Sequence, residues 1–387
     1  SIGIMVVNFS VGILALLAVV IYNNVTYFGM KKEIEPYITS FAYIFRLLNI
    51  YPEFKKHRAD CLREEFEEME LAFRQMDRFQ RGSGIVMSGT RAGGSGSPLD
   101  MLMDFFRMGF HIDLIKFNQM LGEVRRHLDA VDTFLTHYGY IESCIAIGEY
   151  RAYLVDFCVP SFHEERRIRM VDGYHPMLTD PVRNTFETGK GMLITGSNAS
   201  GKSTFLKTVA MNALLAQSIH TCLAAEFETC FFRICSSMSL KDDVLHGESY
   251  YMVEIKSIKR ILDLIAHKEY RVLCFVDEVL RGTNTVERIA ASSQILKSLN
   301  SENSMCFVAT HDIELTSLLE DRYENYHFRE EVTDGDVTFS YQLLPGKATT
   351  RNAIRLLSIM GYHDDIIQKA EQMALEFVRN SHWQMLD

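Results

Sequence analysis

The stretch that decides the fold is "MLITGSNASGKST", residues 192–204. A short apolar run ends at Gly196, four residues follow, and then come Gly201, Lys202 and Ser203. This spacing is typical of a phosphate-binding loop between a strand and a helix, because glycines let successive backbone N–H groups turn inward. The helix start adds its positive end, Lys202 a full charge, and Ser203 a hydroxyl ligand for Mg²⁺. The stretch therefore predicts a nucleotide site that takes ATP and Mg²⁺, against the alternative of a glycine-rich turn.

A second motif, "RVLCFVDE" at 271–278, is an apolar strand that ends in two carboxylates. We assign Asp277 to Mg²⁺ and Glu278 to general-base catalysis or the positioning of the attacking water. Two acids that cap the following helix are the alternative. The phosphate loop earlier in the chain favours the catalytic interpretation.

Two further polar segments follow this pattern. The strand "MCFVAT" at 305–310 leads into His311, and the carboxyl end of a central strand faces the ligand crevice of an open sheet. We expect His311 to contact the γ-phosphate, although an isolated loop histidine is usually solvated. Ser249, in "GES" at 247–249, precedes a predicted helix, where a serine either caps the helix or helps to aim its end at a phosphate.

From Arg167 onward, strand and helix patterns alternate, which predicts an α/β domain with a mainly parallel sheet flanked by helices. The strands are "GMLITG", "FFRIC", "RVLCFVDE" and "SMCFVAT", and the helices are expected at 203–215, 252–266 and 286–298. Apolar residues at helical spacing predict an all-helical region before it, interrupted near Gly139. We therefore divide the chain into 1–30, a helical region at 31–165 with a glycine- and serine-rich connector at 81–98, and 166–387.

The first 30 residues contain no charged side chain. About 20 apolar residues suffice for a helix to cross a bilayer, and the Lys31-Lys32 pair would put the following chain in the cytoplasm. We expect residues 1–30 to anchor a cytoplasmic domain to the inner face of the cell membrane. A buried helix of a soluble cytoplasmic protein is the alternative, and a signal peptide is disfavoured because no basic segment precedes the apolar run.

Composition limits the partners of the chain. Its 387 residues carry a formal net charge of −10, which argues against a chain-wide basic surface for nucleic acid. The local basic clusters are "KKHR" at 55–58 and "EVRRH" at 123–127, and each is equally compatible with a solvated helix face. The eight cysteines lack close spacing, which favours free thiols in a reducing compartment.

Four segments in order, "TGSNASGKST", "DDVLHGESYYMVE", "FVDEVLRGTNT" and "ATHDIEL", together resemble the ATPase domain of the MutS family, a branch of the ABC-type P-loop ATPases. The segment at 343–374 resembles the helical dimerisation element of that family. The likeness covers roughly 113–374.

The resemblance implies a role for each matching position. The Walker A loop would be Gly196, Ser197, Asn198, Ala199, Ser200, Gly201, Lys202, Ser203 and Thr204, and His175 and Pro176 would lie near the adenine. Asp277 and Glu278 would be the Walker B metal ligand and catalytic acid, and His311 the switch histidine. Ser249 would reach the γ-phosphate of the opposing subunit in a homodimer that encloses two ATP molecules, and the loop at 281–285 would cross the interface.

The resemblance also has departures. Ser197 stands where the family usually has proline, and nothing before residue 113 resembles the mismatch-reading domain. We expect a MutS-like ATPase that dimerises with ATP and acts on double-stranded or branched DNA in mismatch repair or recombination. The alternative is a membrane-associated ABC-type ATPase that acts on a protein or membrane partner and has no DNA role.

Overall fold

The computed structural model describes residues 9–80, 106, 108–197, 200–238, 250–333, 336–348, 354, 357–358, 360–380 and 382. The chain divides into two compact units, Ser1–Glu149 and Tyr150–Asp387. The first is helical, and the second consists of mixed α/β sheets flanked by helices. The connector predicted at 81–98 lies outside the described residues.

The long helices among the described residues of 9–153 are α1 (Phe9–Phe54), α2 (Arg63–Gln75), α3 (Ile112–Arg126) and α4 (Leu128–Tyr153), with short 3₁₀ turns at Lys55–His57 and Asp60–Leu62. The interruption predicted near Gly139 is wrong, because α4 runs through that residue. The break lies at His127, where the backbone N–H is shared between the carbonyls of Glu123 and Val124 at 3.1 and 3.2 Å. One glycine costs a helix only about 1 kcal/mol, which the buried side chains Phe134 and Ile141 on either side of Gly139 can offset.

Aromatic side chains build the core of the helical unit. Phe41 stacks on Phe117 with ring centroids 5.2 Å apart and meets Phe79 edge to face at 5.7 Å. Tyr51 is 1% exposed, and its hydroxyl donates a hydrogen bond to the carbonyl of Phe66 at 3.2 Å. The polar end of this buried ring is thus satisfied, as aromatic cores require.

The amino-terminal part of α1 is apolar and largely exposed. Val11–His57 has the length and composition of a membrane-spanning helix, with a mean hydropathy of 1.8 over its most apolar window, of which 11% is buried. Buried helices and signal sequences also meet these criteria. The helix continues past Lys31 without a break to Phe54, so the described part of the expected segment, 9–30, and the chain that follows form one element.

Two sheets form the second unit. The strands are β1 (Ser161–Phe162), β2 (Ile168–Gly173), β3 (Asn184–Thr188), β4 (Gly191–Thr195), β5 (Glu226–Thr229), β6 (Arg233–Ser237), β7 (Val272–Asp277), β8 (Ser304–Ala309), β9 (Tyr323–Thr333) and β10 (Asp336–Pro345). The helices are α5 (Lys202–Ile219), α6 (Tyr250–Ala266), α7 (Thr285–Leu299), α8 (Glu314–Leu318) and α9 (Asp364–Asn380). One sheet has the order β1-β5-β2-β3 and the other β10-β9-β4-β8-β7-β6.

The larger sheet is parallel except at β10, which runs antiparallel to β9. Its central strands are buried on both faces, as the continuous apolar runs predict. On one face Met192 and Ile194 share a core with Phe205 of α5, and on the other Leu193 shares a core with Ile258 of α6. Because β4, β7 and β8 are parallel, their carboxyl ends meet at one edge, where the three predicted motifs lie.

Candidate functional site

The loop between β4 and α5 turns at two glycines with left-handed backbone angles, Gly196 at φ 147° and Gly201 at φ 106°. A Cβ atom on Gly196 would lie 2.8 Å from the carbonyl oxygen of Phe328 and 2.9 Å from Oγ of Ser200. Only glycine fits this position without displacing neighbouring backbone. α5 starts at Lys202, directly after Gly201, so its amino-terminal N–H groups open onto this edge.

Lys202 is held across the loop rather than extended into solvent. Its Nζ donates to the carbonyl oxygens of Gly196 at 2.9 Å and Ser197 at 2.7 Å, and lies 3.4 Å from Nε2 of His311. Burial lowers the pKa of Lys202, against the opposing influence of the carboxylates of Glu278, Asp277 and Glu330. The site thus sets one buried ammonium group among acids.

Glu278 follows β7 in a left-handed conformation, with φ at 65°. Its backbone N–H donates to the carbonyl of Ala309 at 2.8 Å. Its Oε1 lies 3.2 Å from Nε2 of His311 and its Oε2 2.7 Å from Nε of Arg281. Burial alone would raise the pKa of Glu278, but the hydrogen bond from His311 and the charges of His311, Arg281 and Lys202 hold the pKa below its ordinary value.

An ion pair fixes the loop that carries His311. Arg288 of α7 donates to both carboxylate oxygens of Asp312, from Nε at 3.0 Å and from Nη2 at 2.6 Å. The backbone N–H of Asp312 also donates to Oγ1 of Thr310 at 3.1 Å. Such a two-pronged pair is directional, so the chain around His311 is tied to α7.

These groups surround a cavity of about 810 Å³, within the range of small-molecule sites. The predicted site residues that line it are His175, Ser200, Gly201, Lys202, Ser203, Thr204, Asp277, Glu278 and His311. Among the described residues, Pro176, Gly196 and Ser197 do not line it. Asn198, Ala199 and Ser249 lie outside the described residues.

His175 stands on the wall of the cavity. Its Nδ1 accepts a hydrogen bond from the backbone N–H of Met177 at 3.2 Å. Burial, with the charge of Lys207, lowers the pKa of His175. At neutral pH its ring is therefore an uncharged, partly buried surface.

Asn184 and Tyr341 are among the wall residues that sequence reasoning missed. Asn184 donates from Nδ2 to the carbonyl of Tyr341 at 3.1 Å and accepts from the N–H of Leu343 at 2.7 Å. These bonds span an irregularity in the pairing of β9 and β10, where Tyr341 has φ 52°. A bulge of this kind depends on tertiary contacts, so no local sequence motif predicts it.

Glu330, which sequence reasoning also missed, lies behind the loop. The hydroxyl of Ser197 donates to Oε2 of Glu330 at 2.5 Å, and Glu330 is 5% exposed. A buried acid on β9 thus fixes the phosphate loop at Ser197.

Comparison with known proteins finds a family match within the second unit. Residues 192–378 match the MutS domain V family. This match begins in β4 and ends in α9, so it includes the loop, Glu278 and His311.

The curated relatives of the chain point to the same family. The DNA mismatch repair protein MutS of Roseiflexus castenholzii is 33% identical over 238 residues, 57% of this chain and 22% of its own length. The MutS of Thermus thermophilus is 32% identical over 219 residues, 55% of this chain and 26% of its own length. The MutS of Bacillus licheniformis is 30% identical over 275 residues, 67% of this chain and 29% of its own length. The chain thus spans less than a third of these relatives. Residues 192–378 thus match MutS domain V, and over this part the chain is MutS-like.

Proposed function

We propose that residues 166–387, within the second unit, form an ABC-type P-loop ATPase domain that binds and hydrolyses ATP with Mg²⁺. The observation that carries the proposal is the convergence of Lys202, Asp277, Glu278 and His311 on one cavity. They lie in segments that follow three parallel strands, β4, β7 and β8, or at the end of one of them, so the arrangement depends on the fold rather than on one local motif.

The donor set fits a nucleotide with its metal ion. Oγ of Ser200 is buried and has no hydrogen-bond partner among the described residues, so it is available to a polar ligand. Ser203 and Asp277 both line the cavity and offer the hard oxygen ligands that Mg²⁺ prefers. Bound Mg²⁺ would neutralise charge on the phosphate oxygens.

Residues of the chain would bind the phosphates and activate the attacking water. The loop glycines and the start of α5 present N–H groups to phosphate, and Lys202 adds a positive charge. Glu278, with its lowered pKa, is charged at neutral pH and can accept a proton from the attacking water. His311 contacts its Oε1 and Arg281 its Oε2.

We further propose that two copies of the chain associate through this domain, with Ser249 of one copy reaching the nucleotide of the other. The proposal rests on the resemblance to the MutS family, and the side chain of Arg281, 57% exposed, is consistent with an interface beyond Glu278.

The relatives are DNA mismatch repair proteins, and we propose that this ATPase also acts on double-stranded or branched DNA. One observation favours the alternative of a protein or membrane partner with no DNA role. The cations of the cluster at 55–58 are paired with glutamates: Lys55–Glu70 at 2.8 Å, Lys56–Glu53 at 2.6 Å and Arg58–Glu67 at 3.5 Å.

The exposed apolar part of α1 also fits anchoring by residues 1–30 with the ATPase domain in the cytoplasm, against the alternative of a soluble cytoplasmic protein.

Salt dependence of DNA binding separates these two partners. We would titrate the full chain carrying Glu278→Gln with homoduplex, mismatched and branched DNA, with and without ATP, at two salt concentrations. If the chain contacts phosphates, affinity should appear with ATP and fall steeply as salt rises. An ATP-bound chain that binds none of the DNAs at low salt would rule out the DNA role and leave the protein or membrane partner.

A pH profile tests the role of His311. His311→Ala removes a hydrogen bond and a charge that lower the pKa of Glu278, while burial, which raises that pKa, remains. The acid limb of kcat/KM, which reports the free enzyme, should therefore move to higher pH. His267→Ala, at an exposed histidine directly after α6, is the control. An acid limb at the wild-type pH in His311→Ala would show that His311 does not tune Glu278.

A further inference from the structure

A buried carboxyl group on α6 closes the segment "DDVLHGESYYMVE" at 242–254, but the site described above gives it no role. Glu254 is 2% exposed, and its Oε1 accepts a hydrogen bond from the backbone N–H of Leu280 at 2.5 Å. Its Oε2 is buried without a hydrogen-bond partner among the described residues. Burying a carboxyl group is costly, so its presence here calls for a role.

The turn that Glu254 holds is conformationally strained. Glu278 has φ 65° and Leu280 φ 56°, and left-handed angles cost residues other than glycine about 1–2 kcal/mol each. The turn is fixed from two helices, since Oγ of Ser292 on α7 also donates to the carbonyl of Val279 at 3.2 Å. Such a conformation persists only where its surroundings enforce it.

We infer that Glu254 is a positioning residue for Glu278: from α6, its carboxyl group fixes the turn at 278–281 so that Glu278 and Arg281 meet at the cavity. The inference rests on the proposed ATPase function. Burial raises the pKa of Glu254, against the backbone N–H groups of Leu280 and Arg281, which lower it. Glutamine, which is neutral and keeps the accepting oxygen, is therefore the conservative replacement.

The position of Glu254 also connects two parts of the proposed site. α6 starts at Tyr250, directly after Ser249. Glu254 is one turn further along. The helix that follows the proposed trans-acting serine is thus bonded to the turn that carries the proposed base, and a displacement of α6 would reach Glu278 through this bond.

The test compares two variants without an acceptor, Glu254→Met and Glu254→Ala, with Glu254→Gln. Methionine keeps the volume and alanine adds no bulk, so one of them serves if the other fails to fold. Asp263→Asn is the matched control, because Asp263 lies on the same helix but is exposed and paired with Lys259. Amide hydrogen exchange at 279–282 is measured on the full chain without nucleotide, and kcat and KM for ATP are measured separately.

We expect Glu254→Met and Glu254→Ala to speed exchange at 279–282 about tenfold or more and to lower kcat at least about tenfold, with little change in KM. Glu254→Gln and Asp263→Asn should retain wild-type exchange and kcat. Wild-type exchange in Glu254→Met and Glu254→Ala, or a loss of kcat in Glu254→Gln as large as in Glu254→Met, would overturn the inference. If the wild-type chain hydrolyses no ATP, the proposed function fails, and the exchange comparison alone decides whether Glu254 holds the turn.

Discussion

Glu278→Gln is expected to lower ATP hydrolysis by about 10²- to 10⁴-fold, the range that a positioned general base contributes. Glutamine keeps the size of the side chain and an oxygen that can accept a hydrogen bond from His311, but it cannot take a proton from water. Because Glu278 contributes negative charge to the cavity, its neutralisation should leave ATP affinity unchanged or slightly higher.

Phosphate release under steady-state conditions and binding of a fluorescent ATP analogue measure the two properties separately. Glu302→Gln is the control, because Glu302 is an exposed acid just before β8, at the opposite edge of the sheet. A Glu278→Gln chain that hydrolyses ATP within about threefold of wild type would assign the base to another residue.

Lys202→Met should weaken ATP binding by about 10- to 100-fold, since a hydrogen bond to a charged group contributes about 1.5–3 kcal/mol. Methionine matches the length of the lysine stem, so the loss reports the ammonium group. The substitution also removes the cation that faces Glu278, Asp277 and Glu330, and the uncompensated acids would themselves repel phosphate.

Equilibrium titration with ATP and Mg²⁺ measures this loss directly. Lys190→Met is the matched control, because Lys190 is exposed and precedes β4 at the far edge of the sheet. Equal ATP affinity in Lys202→Met and wild type would mean that the loop does not bind phosphate as proposed.

The elements around the phosphate loop are those that sequence predicts best, because their signals are local. The helix expected at 203–215 runs over Lys202–Ile219, and the strand that ends in Asp277 is Val272–Asp277. Apolar runs, two glycines at fixed spacing and paired acids are sufficient to predict this helix and this strand. The mixed α/β fold and the MutS relationship follow from them.

The remaining parts of the site depend on contacts between residues far apart in the chain. β9 lies next to β4 in the sheet, which brings Glu330 to Ser197 although they are 133 positions apart. In the sequence, Glu254 is one polar residue of a predicted amphipathic helix. Its hydrogen-bond partner, Leu280, is evident only from the packing of this helix against the turn after β7. The predicted break at Gly139 failed for a related reason, since packing outweighs the weak helix propensity of one glycine.

Hydrogen exchange of the full chain with and without ATP and Mg²⁺ tests most directly whether this cavity is the nucleotide site. We expect nucleotide to slow amide exchange at 196–204 and at 277–281, because both segments border the proposed phosphate position. The Lys202→Met chain should lose this protection at the same ATP concentration. ATP binding that leaves exchange in both segments unchanged would contradict the proposal and locate the nucleotide elsewhere on the chain.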